Sequence, residues 1–489
     1  MTRKKPINRK DDHVDRLSTL PDDVLLAILD KLDVRDAVRA STLARRWRRL
    51  PYKLSQLTVD CARFLPDDSS FCLIDDIPRI NALVVEATES MLSRRDPSQH
   101  AIRSVAITFF LRVSDCIAVG RAVGHAMAAN KVETAELTIL TEMEDGQCED
   151  DDLIDYGGRF KEFFHACPDA FCGLTHLKLQ DLRFGDELDV PNVLTACTRL
   201  RRLHLSNCDS EAPTTLRVEH PNLDDLSILN CGFGKLELGR LPKLTQLAFE
   251  DWISSQNPIS FDHVPLLETL TLSNTCLSWH KTVKLSEFLG RRTSVQSLIL
   301  DFRCERIWVQ PEAPRSLKSA FQKLRVLYLL RLPEGVDLGW SMFILEAAPA
   351  LEEMYLVVWD HACAMVTDEE ARREGAYSEE KGVEWEPPAA AGGGFEHRSL
   401  ARLVVFGFQA EEYLVRYVRR VMEAAVNLEE VVLYGRVACE ECADELPSGF
   451  RYPRSKKQRW SLRNRIAEGT GSLAAILFPD APRTIIFNV

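Results

Sequence analysis

The sequence predicts an α/β fold, in which an N-terminal three-helix unit precedes a solenoid with a curved parallel sheet and helices or loops on its convex side. Two observations predict it. Three short helical patterns lie between residues 15 and 51, and beyond them apolar residues recur at relative positions 0, +3 and +5 along most of the chain. The length of 489 residues exceeds what one compact core usually serves, which agrees with a repeat array.

Composition narrows the class of protein. Apolar residues make up 45% of the chain and charged residues 27%, so wholesale disorder is excluded. The net charge of −12 argues against nucleic-acid binding by the protein as a whole, although local basic patches remain possible. The N-terminus is polar and no apolar run is long enough to span a bilayer, so we expect no signal peptide, no membrane span, and reduced cysteines in the nucleus and/or cytoplasm.

The first helical pattern follows Pro21, a residue that suits the first turn of a helix. Leu25, Ile28, Leu29 and Leu32 fall at positions 0, +3, +4 and +7 and form one apolar stripe. This spacing predicts an amphipathic helix whose apolar side needs something to pack against.

Two further helical patterns complete the N-terminal unit. Asp33 can cap the second, and the third has Leu43, Trp47 and Leu50 at 0, +4 and +7 before Pro51 ends it. A unit of about 37 residues cannot bury enough surface to be stable alone. Its apolar stripes must therefore pack on the rest of the chain or insert into a groove of a partner protein.

Four motifs stand in a fixed order between Asp15 and Leu50: D-R-L-S-x-L-P-D-D, I-L-x-x-L, D-A-V-R-A-S and L-x-x-R-W-R-R-L. Together they resemble an F-box. The resemblance implies binding to the Skp-family adaptor of a cullin–RING ubiquitin ligase. By the same resemblance the apolar contact with the adaptor would come from Leu20, Pro21, Ile28, Leu29, Leu32, Val38, Leu43 and Trp47. Pro51 stands where many relatives have an aromatic residue, which weakens the last expected contact.

The 0, +3, +5 triplets recur thirteen times. They are Leu54/Leu57/Val59, Ile102/Val105/Ile107, Val132/Ala135/Leu137, Leu174/Leu177/Leu179, Leu200/Leu203/Leu205, Leu223/Leu226/Ile228, Leu244/Leu247/Phe249, Leu267/Leu270/Leu272, Val295/Leu298/Leu300, Leu324/Leu327/Leu329, Leu351/Met354/Leu356, Leu400/Leu403/Val405 and Leu428/Val431/Leu433. From Leu174 to Leu351 the intervals are 26, 23, 21, 23, 28, 29 and 27 residues, which brackets the period of leucine-rich repeats. Positions +3 and +5 share one side of a strand, so each copy predicts one short parallel strand.

Two further features fit this repeat. Cys208 and Cys231 fall at +8 of their copies, where leucine-rich repeats place Asn or Cys to bond neighbouring backbone turns. Residues 397–435 contain a strand ending in G-F, a helical pattern and then L-E-x-V-x-L, and they resemble the FBD module. F-box, leucine-rich repeats and FBD in this order are typical of plant proteins.

The predicted domain order follows. It is a disordered basic tail (1–14), the F-box (15–51), leucine-rich repeats (52–359), a disordered acidic and Gly/Pro-rich insertion (360–396), FBD-like final repeats (397–435), and a C-terminal basic segment and tail (436–489). The acidic run Glu142–Asp155 predicts a solvated loop within the repeats.

Alternation along the strands places positions +2, +4 and +6 on the concave face. Early copies put polar side chains there, whereas later copies bring aromatic ones, which we expect to bind a target: Tyr328, Tyr355, Trp359, Phe406 and Tyr434. Two interpretations are open. The aromatic face is either an exposed binding surface or a core covered by the 360–396 insertion or by the C-terminal tail.

No catalytic motif is present, since G-x-G-x-x-G, Walker A, H-E-x-x-H and G-x-S-x-G are all absent. Cys439 and Cys442 have the spacing of half a zinc site, but no second pair follows, so we predict neither metal nor cofactor. Arg451–Arg465 holds seven basic residues and no acidic one. That segment is an import signal, a phosphate or nucleic-acid patch, or a solvated tail.

These observations predict a non-catalytic, substrate-recognition subunit of an SCF-type (Skp–cullin–F-box) ubiquitin ligase. The F-box would dock the adaptor, and the repeats would capture an unidentified target protein. The alternative is a leucine-rich-repeat interaction scaffold that acts without ubiquitin and whose N-terminal helices cap the solenoid.

Overall fold

The structure, a computed structural model, describes residues 20–65, 74–93, 102–129, 131–143, 148–185, 189–211, 214–252, 258–274, 282–289, 294–358, 360, 395–436 and 452–480. The chain forms two compact units, Met1–Lys178 and Leu179–Val489, and the boundary falls within the strand Leu174–Gln180.

The N-terminal helices form much as predicted. Helix α1 spans Asp22–Leu29 and helix α2 spans Val34–Ser41. The predicted cap is confirmed, because the Asp33 carboxylate accepts a hydrogen bond from the Asp36 N–H at 2.9 Å. The third pattern is a 3₁₀ turn over Arg45–Arg49 rather than an α-helix. Pro51 ends that turn but also opens another, Pro51–Lys53, since its fixed φ suits a first helical position.

Strands and helices alternate through the rest of the first unit. In chain order they are β1 (Gln56–Asp60), α3 (Ile77–Ser93), β2 (Ile102–Phe110), α4 (Val113–Ala128), β3 (Val132–Leu140), α5 (Asp150–Ala166), α6 (Pro168–Gly173) and β4 (Leu174–Gln180). Strands β1, β2 and β3 are parallel, and Leu57 lies opposite Val105, which lies opposite Ala135. The +3 positions of successive copies are thus in register, as the repeat predicted.

The acidic run does not form the predicted loop throughout. Helix α5 begins at Asp150, where the Glu149 side chain and Asp152 form a reciprocal capping box. Acidic residues in the first turn are favourable because they face the positive end of the helix dipole. The prediction was therefore wrong for residues 150–155, and residues 144–147 lie outside the described part of the chain.

The second unit continues the pattern. Its elements are β5 (Arg183–Phe184), α7 (Val190–Ala196), β6 (Arg202–Ser206), β7 (Asp209–Ser210), β8 (Thr215–Val218), β9 (Asp225–Leu229), β10 (Lys235–Arg240), β11 (Gln246–Glu250), β12 (Ile259–His263), β13 (Thr269–Ser273), α8 (Leu285–Phe288), β14 (Ser297–Asp301), α9 (Pro314–Leu317), β15 (Val326–Leu332), α10 (Met342–Ala347), β16 (Glu353–Val358), β17 (Arg402–Phe406), α11 (Glu412–Ala424), β18 (Glu430–Leu433), α12 (Lys456–Ala467) and β19 (Ala475–Leu477).

One long parallel ladder organises this unit, in the order β6-β9-β11-β13-β14-β15-β16-β17-β18-β19. Strands β8, β10 and β12 form a second parallel sheet, and β5 pairs with β7. All thirteen predicted triplets are buried, so the leucine-rich-repeat prediction is confirmed. The FBD-like strand, helix and strand are β17, α11 and β18.

The sequence prediction missed a fourteenth copy. Leu473, Ile476 and Phe478 repeat the 0, +3, +5 spacing, and β19 pairs in parallel with β18. Ile476 and Phe478 are buried, whereas Leu473 is fully exposed. Part of the predicted C-terminal tail is therefore a folded terminal repeat.

The turns that follow successive strands have Asn or Asp at the same position. Asp181, Asn207, Asn230 and Asp251, each at +7 of its copy, adopt positive φ angles. Asn and Asp tolerate this conformation better than other non-glycine residues. One residue on, the predicted cysteine ladder is confirmed: the Cys208 N–H donates to the Cys231 Sγ at 3.4 Å.

Candidate functional sites

The N-terminal helices carry an exposed apolar patch. Its members are Val24 (39% exposed), Ile28 (41%), Leu32 (38%), Val38 (44%) and Leu43 (75%). Val24 and Ile28 are one turn apart on α1, and Val38 belongs to α2. We call these five side chains the N-terminal patch. Leu32 and Leu43 lie in the turns that follow α1 and α2. Several large aliphatic groups left in water within one small unit are typical of a protein-binding surface.

The opposite sides of the same helices are buried. Leu25 and Leu29 of α1 are each 1% exposed, and Trp47 is 6% exposed. The Asp30 carboxylate accepts hydrogen bonds from the Ser55 N–H at 2.9 Å and from the Ser55 hydroxyl at 3.0 Å, which ties the end of α1 to the start of β1. One side of these helices thus packs within the chain, and the other side is exposed.

The eight residues assigned by resemblance divide accordingly. Pro21, Ile28, Leu32, Val38 and Leu43 are exposed, and Leu20 is half-buried. Leu29 and Trp47 are buried, so in this conformation they support the N-terminal patch from below instead of contacting a partner. Val24 was not among the eight, although its position one turn before Ile28 could have revealed it.

An ion pair fixes the 3₁₀ turn against α1. The Arg46 guanidinium donates two hydrogen bonds to the Asp22 Oδ1, at 2.9 Å from Nε and 2.6 Å from Nη2. Both side chains are about half exposed, so the pair contributes little to stability. It links the turn that contains Trp47 to the start of α1.

The aromatic residues of the later repeats lie on adjacent strands. Tyr328 pairs with Tyr355 across β15 and β16, with ring centroids 4.9 Å apart. Phe406 and Tyr434 are stacked with centroids 4.7 Å apart. Trp359 lies outside the described part of the chain. Alternation thus brings four of the five predicted side chains onto one face of the sheet.

Some side chains of this face are buried, and others remain partly exposed to solvent. Val357, Val404, Phe406 and Val432 are buried, with Phe406 at 7% exposure, and Leu330, Tyr355 and Tyr434 pack against them while remaining partly exposed. Phe406 is therefore corrected to a core residue beneath the tyrosines. Tyr328, Tyr355 and Tyr434 are the side chains that present an accessible edge.

Tyr328 and Tyr355 remain neutral at cellular pH. Burial, assisted by a hydrogen bond from the Tyr355 hydroxyl to the Glu353 carboxylate, raises the pKa of Tyr355 to about 12. Burial also raises the pKa of Tyr328. Phenols that stay protonated combine an apolar ring with a hydroxyl donor, which suits polar and apolar contacts with a peptide.

Half-buried ion pairs link the ends of strands β11, β14 and β15. The Arg303 Nη2 donates to the Glu250 Oε2 and to the Asp251 Oδ2, both at 2.7 Å. Arg331 forms an ion pair with Asp301 on the neighbouring turn. Two arginines thus contact three carboxylates, and the contacts hold the strand ends together.

The described residues hold no group of three or more His, Cys, Asp or Glu that could bind a metal ion. Among those same residues, no helix is both long and apolar enough to cross a membrane. Cys439 and Cys442, whose spacing was not taken as a metal site, lie outside them.

Comparison with known families and proteins follows the same division of the chain. The family model described as "At1g61320/AtMIF1, LRR domain" matches residues 164–456, and an F-box-like model matches residues 17–54. Among solved structures, the chain resembles one titled "Crystal structure of TLR13-ssRNA13 complex" over 72% of its own length and 58% of that chain, at 12% identity and a TM-score of 0.22, too distant to carry an argument.

Curated relatives come from Arabidopsis thaliana. The F-box/FBD/LRR-repeat protein At5g56420 is 26% identical, over 58% of this chain and 65% of that protein. The F-box/LRR-repeat protein At5g02910 is 25% identical (52% and 48%), and the F-box/FBD/LRR-repeat protein At4g26340 is 24% identical (71% and 78%). The match thus spans about half to two thirds of the first two relatives. Since the repeat model covers more than half of the chain and the F-box model covers its start, the chain belongs to the plant F-box/leucine-rich-repeat proteins with repeats of the At1g61320/AtMIF1 type.

Proposed function

We propose that this chain is the substrate-recognition subunit of an SCF-type ubiquitin ligase. The observation that carries the proposal is the N-terminal patch, an exposed apolar surface on the F-box-like helices. A Skp-family adaptor would cover this patch, while the repeats hold a target protein. We also propose that the chain acts in the nucleus and/or cytoplasm, and the location of a fluorescent fusion tests this.

In this role the chain needs no catalytic residue. Holding a target and the ligase together raises the effective concentration of the target's lysines near the ubiquitin carrier. The leucine-rich repeats suit this task because hydrogen bonds fix the register of the parallel strands along the second unit. The tyrosine-edged face over β15 to β18 is the proposed target site.

Burial of the N-terminal patch alone does not supply enough free energy for a stable complex with the adaptor. At roughly 1.5–3 kcal/mol for each fully buried large side chain, covering the exposed fractions of the five patch residues yields about 4–7 kcal/mol. Association costs about 4–15 kcal/mol before any net affinity appears. A stable adaptor complex therefore also requires contacts from Leu20, Pro21 or the surrounding arginines.

Capture of purified Skp-family adaptor by the full chain tests the proposal. We expect stoichiometric capture by the wild type and loss of capture by the Ile28→Asp, Val38→Asp double variant. A matched control replaces two equally exposed aliphatic residues elsewhere, Leu266→Asp and Val426→Asp, which are 53% and 51% exposed. Equal capture by both double variants, or no capture by a folded wild type, would refute adaptor docking through the patch.

The scaffold alternative has one observation in its favour. The Asp30–Ser55 contacts and the buried Leu29 join the N-terminal helices to the first strand, as a solenoid cap would. If capping were the whole role, the patch variants would behave as the wild type in every binding assay. Deleting residues 1–51 would then cause aggregation without affecting any ubiquitin-dependent step.

A further inference from the structure

Helix α12 presents a surface that neither the N-terminal patch nor the tyrosine-edged face involves. The helix starts with a capping box: the Gln458 N–H donates to the Ser455 hydroxyl at 3.2 Å, and the Ser455 N–H donates to the Gln458 Oε1 at 3.0 Å. Leu462 and Ile466 are buried on its inner side. The position of the helix is thus determined at its start and along one side, which leaves a defined outer face.

That outer face combines cations with an exposed indole. Lys456, Lys457 and Arg463 stand three or four positions from Trp460, so their side chains surround it. Trp460 is 64% exposed. With Arg459 these residues line an open groove of about 650 Å³, which we call the basic tryptophan groove.

The positive charge of the groove is balanced only in part: the Arg459 guanidinium lies 3.8 Å from the Asp480 carboxylate, whereas neither Lys456 nor Lys457 forms an ion pair within the described residues. The first turn of α12 contains no acidic residue. Cations in the first turn are unfavourable because they lie at the positive end of the helix dipole. Arg463 is instead held in place, donating to the Ile476 carbonyl at 2.7 Å and lying over the Phe478 ring at 5.7 Å.

We propose that the basic tryptophan groove binds a short acidic peptide segment of a partner protein. Carboxylates would neutralise Lys456 and Lys457, and an apolar residue between them would cover the Trp460 indole. A cluster of cations around an aromatic ring is the complementary surface for such a segment.

Two features favour a short peptide over an extended polyanion. Single-stranded nucleic acid is usually held by several aromatic platforms, whereas Trp460 is the only aromatic among the large exposed apolar side chains of the described residues. The net charge of −12 also repels a long polyanion or an anionic membrane. A short peptide contacts only the groove, and salt screens it from the protein charges that lie more than about 8 Å away.

The test measures fluorescence anisotropy of a labelled peptide of Glu residues around one central Phe, titrated with the full chain. A second peptide has Gln in place of every Glu. We expect binding of the Glu peptide only, at least about tenfold weaker for the Lys456→Glu, Lys457→Glu variant and about three- to tenfold weaker for Trp460→Ala. None of the variants should lower the thermal unfolding midpoint, because all three side chains are exposed, and the Lys456→Glu, Lys457→Glu variant should raise it slightly because acidic residues suit the first turn of a helix.

A matched control separates the groove from overall charge. The Arg315→Glu, Lys318→Glu variant changes the net charge equally at two exposed residues elsewhere, one on α9 and one just after it, and should bind the Glu peptide as the wild type does. Equal weakening in both double variants would overturn the proposal, as would equal binding of the Gln peptide or no binding. Tighter, Lys456-dependent binding of labelled oligo-dT or of phosphatidylserine vesicles would also overturn it and assign the groove to nucleic acid or to membrane.

Discussion

Truncation of Leu43 tests most directly whether the N-terminal patch is a docking surface. Leu43 is 75% exposed, so a partner could remove most of its side chain from water. Leu43→Ala deletes about three carbon groups worth ~0.8 kcal/mol each when fully transferred. Scaled by the exposed fraction, the loss is roughly 1.8 kcal/mol, or about twentyfold in the Kd for the adaptor. Stability should not change, because nothing buried is disturbed.

Leu29 provides the contrast on the same unit. It is 1% exposed, so Leu29→Ala leaves a cavity and should lower the free energy of unfolding by about 2–5 kcal/mol. Titration calorimetry with purified adaptor and thermal unfolding separate the two effects, and Leu473→Ala, a fully exposed leucine elsewhere, is the control. The reasoning fails if Leu43→Ala binds within about twofold of wild type, or if Leu29→Ala weakens binding without loss of stability.

Three further predictions concern stability. His220 and His397 are buried, each accepts a backbone N–H at Nδ1, and burial lowers the pKa of both. Below about pH 6.5 these histidines are therefore protonated in the unfolded chain but not in the folded one. The free energy of unfolding should be constant above about pH 7 and should fall as the pH drops below about 6.5. Urea titrations at several pH values should show this slope, and the His220→Gln, His397→Gln variant should flatten it. Asp33→Ala removes the cap of α2 and should cost about 1 kcal/mol in the same assay, whereas an unchanged midpoint would mean that the cap is not formed. Phe171→Ala should cost about 3–5 kcal/mol, since this fully buried ring packs on three neighbouring rings; a loss below 1 kcal/mol would contradict that packing.

The repeat architecture could be predicted because every copy keeps the same 0, +3, +5 spacing, although the interval between copies varies. Each triplet puts two apolar residues on the same side of a strand, and a parallel ladder keeps that side buried in every copy. The +8 cysteines followed from the same register. The sequence analysis did not predict the last copy, Leu473/Ile476/Phe478, because basic residues dominate the segment before it. Leu462 and Ile466 nevertheless indicate the helix that precedes the strand.

The candidate sites were predicted less completely. Periodicity placed Leu25, Leu29, Ile28 and Leu32 on one stripe, yet the stripe is wide enough for one edge to be buried and the other exposed. Which edge is buried depends on where β1 lies. That in turn depends on contacts such as the one between Asp30 and Ser55, which are 25 residues apart in the sequence. Likewise, alternation put Phe406 on the tyrosine-edged face, but only the packing of Val404 and Val432 around it makes it core.

The sequence by itself determined the order of the units, the register of the strands and the chemistry of the turns, because these depend on local spacing and on backbone preferences such as that of Asn207 for positive φ. Only the tertiary structure decided which apolar side chains remain in water and which charges remain unbalanced. Exposure depends on what lies across from a side chain, and for Leu43 and Trp460 that is solvent. These exposed side chains are therefore where binding partners are expected.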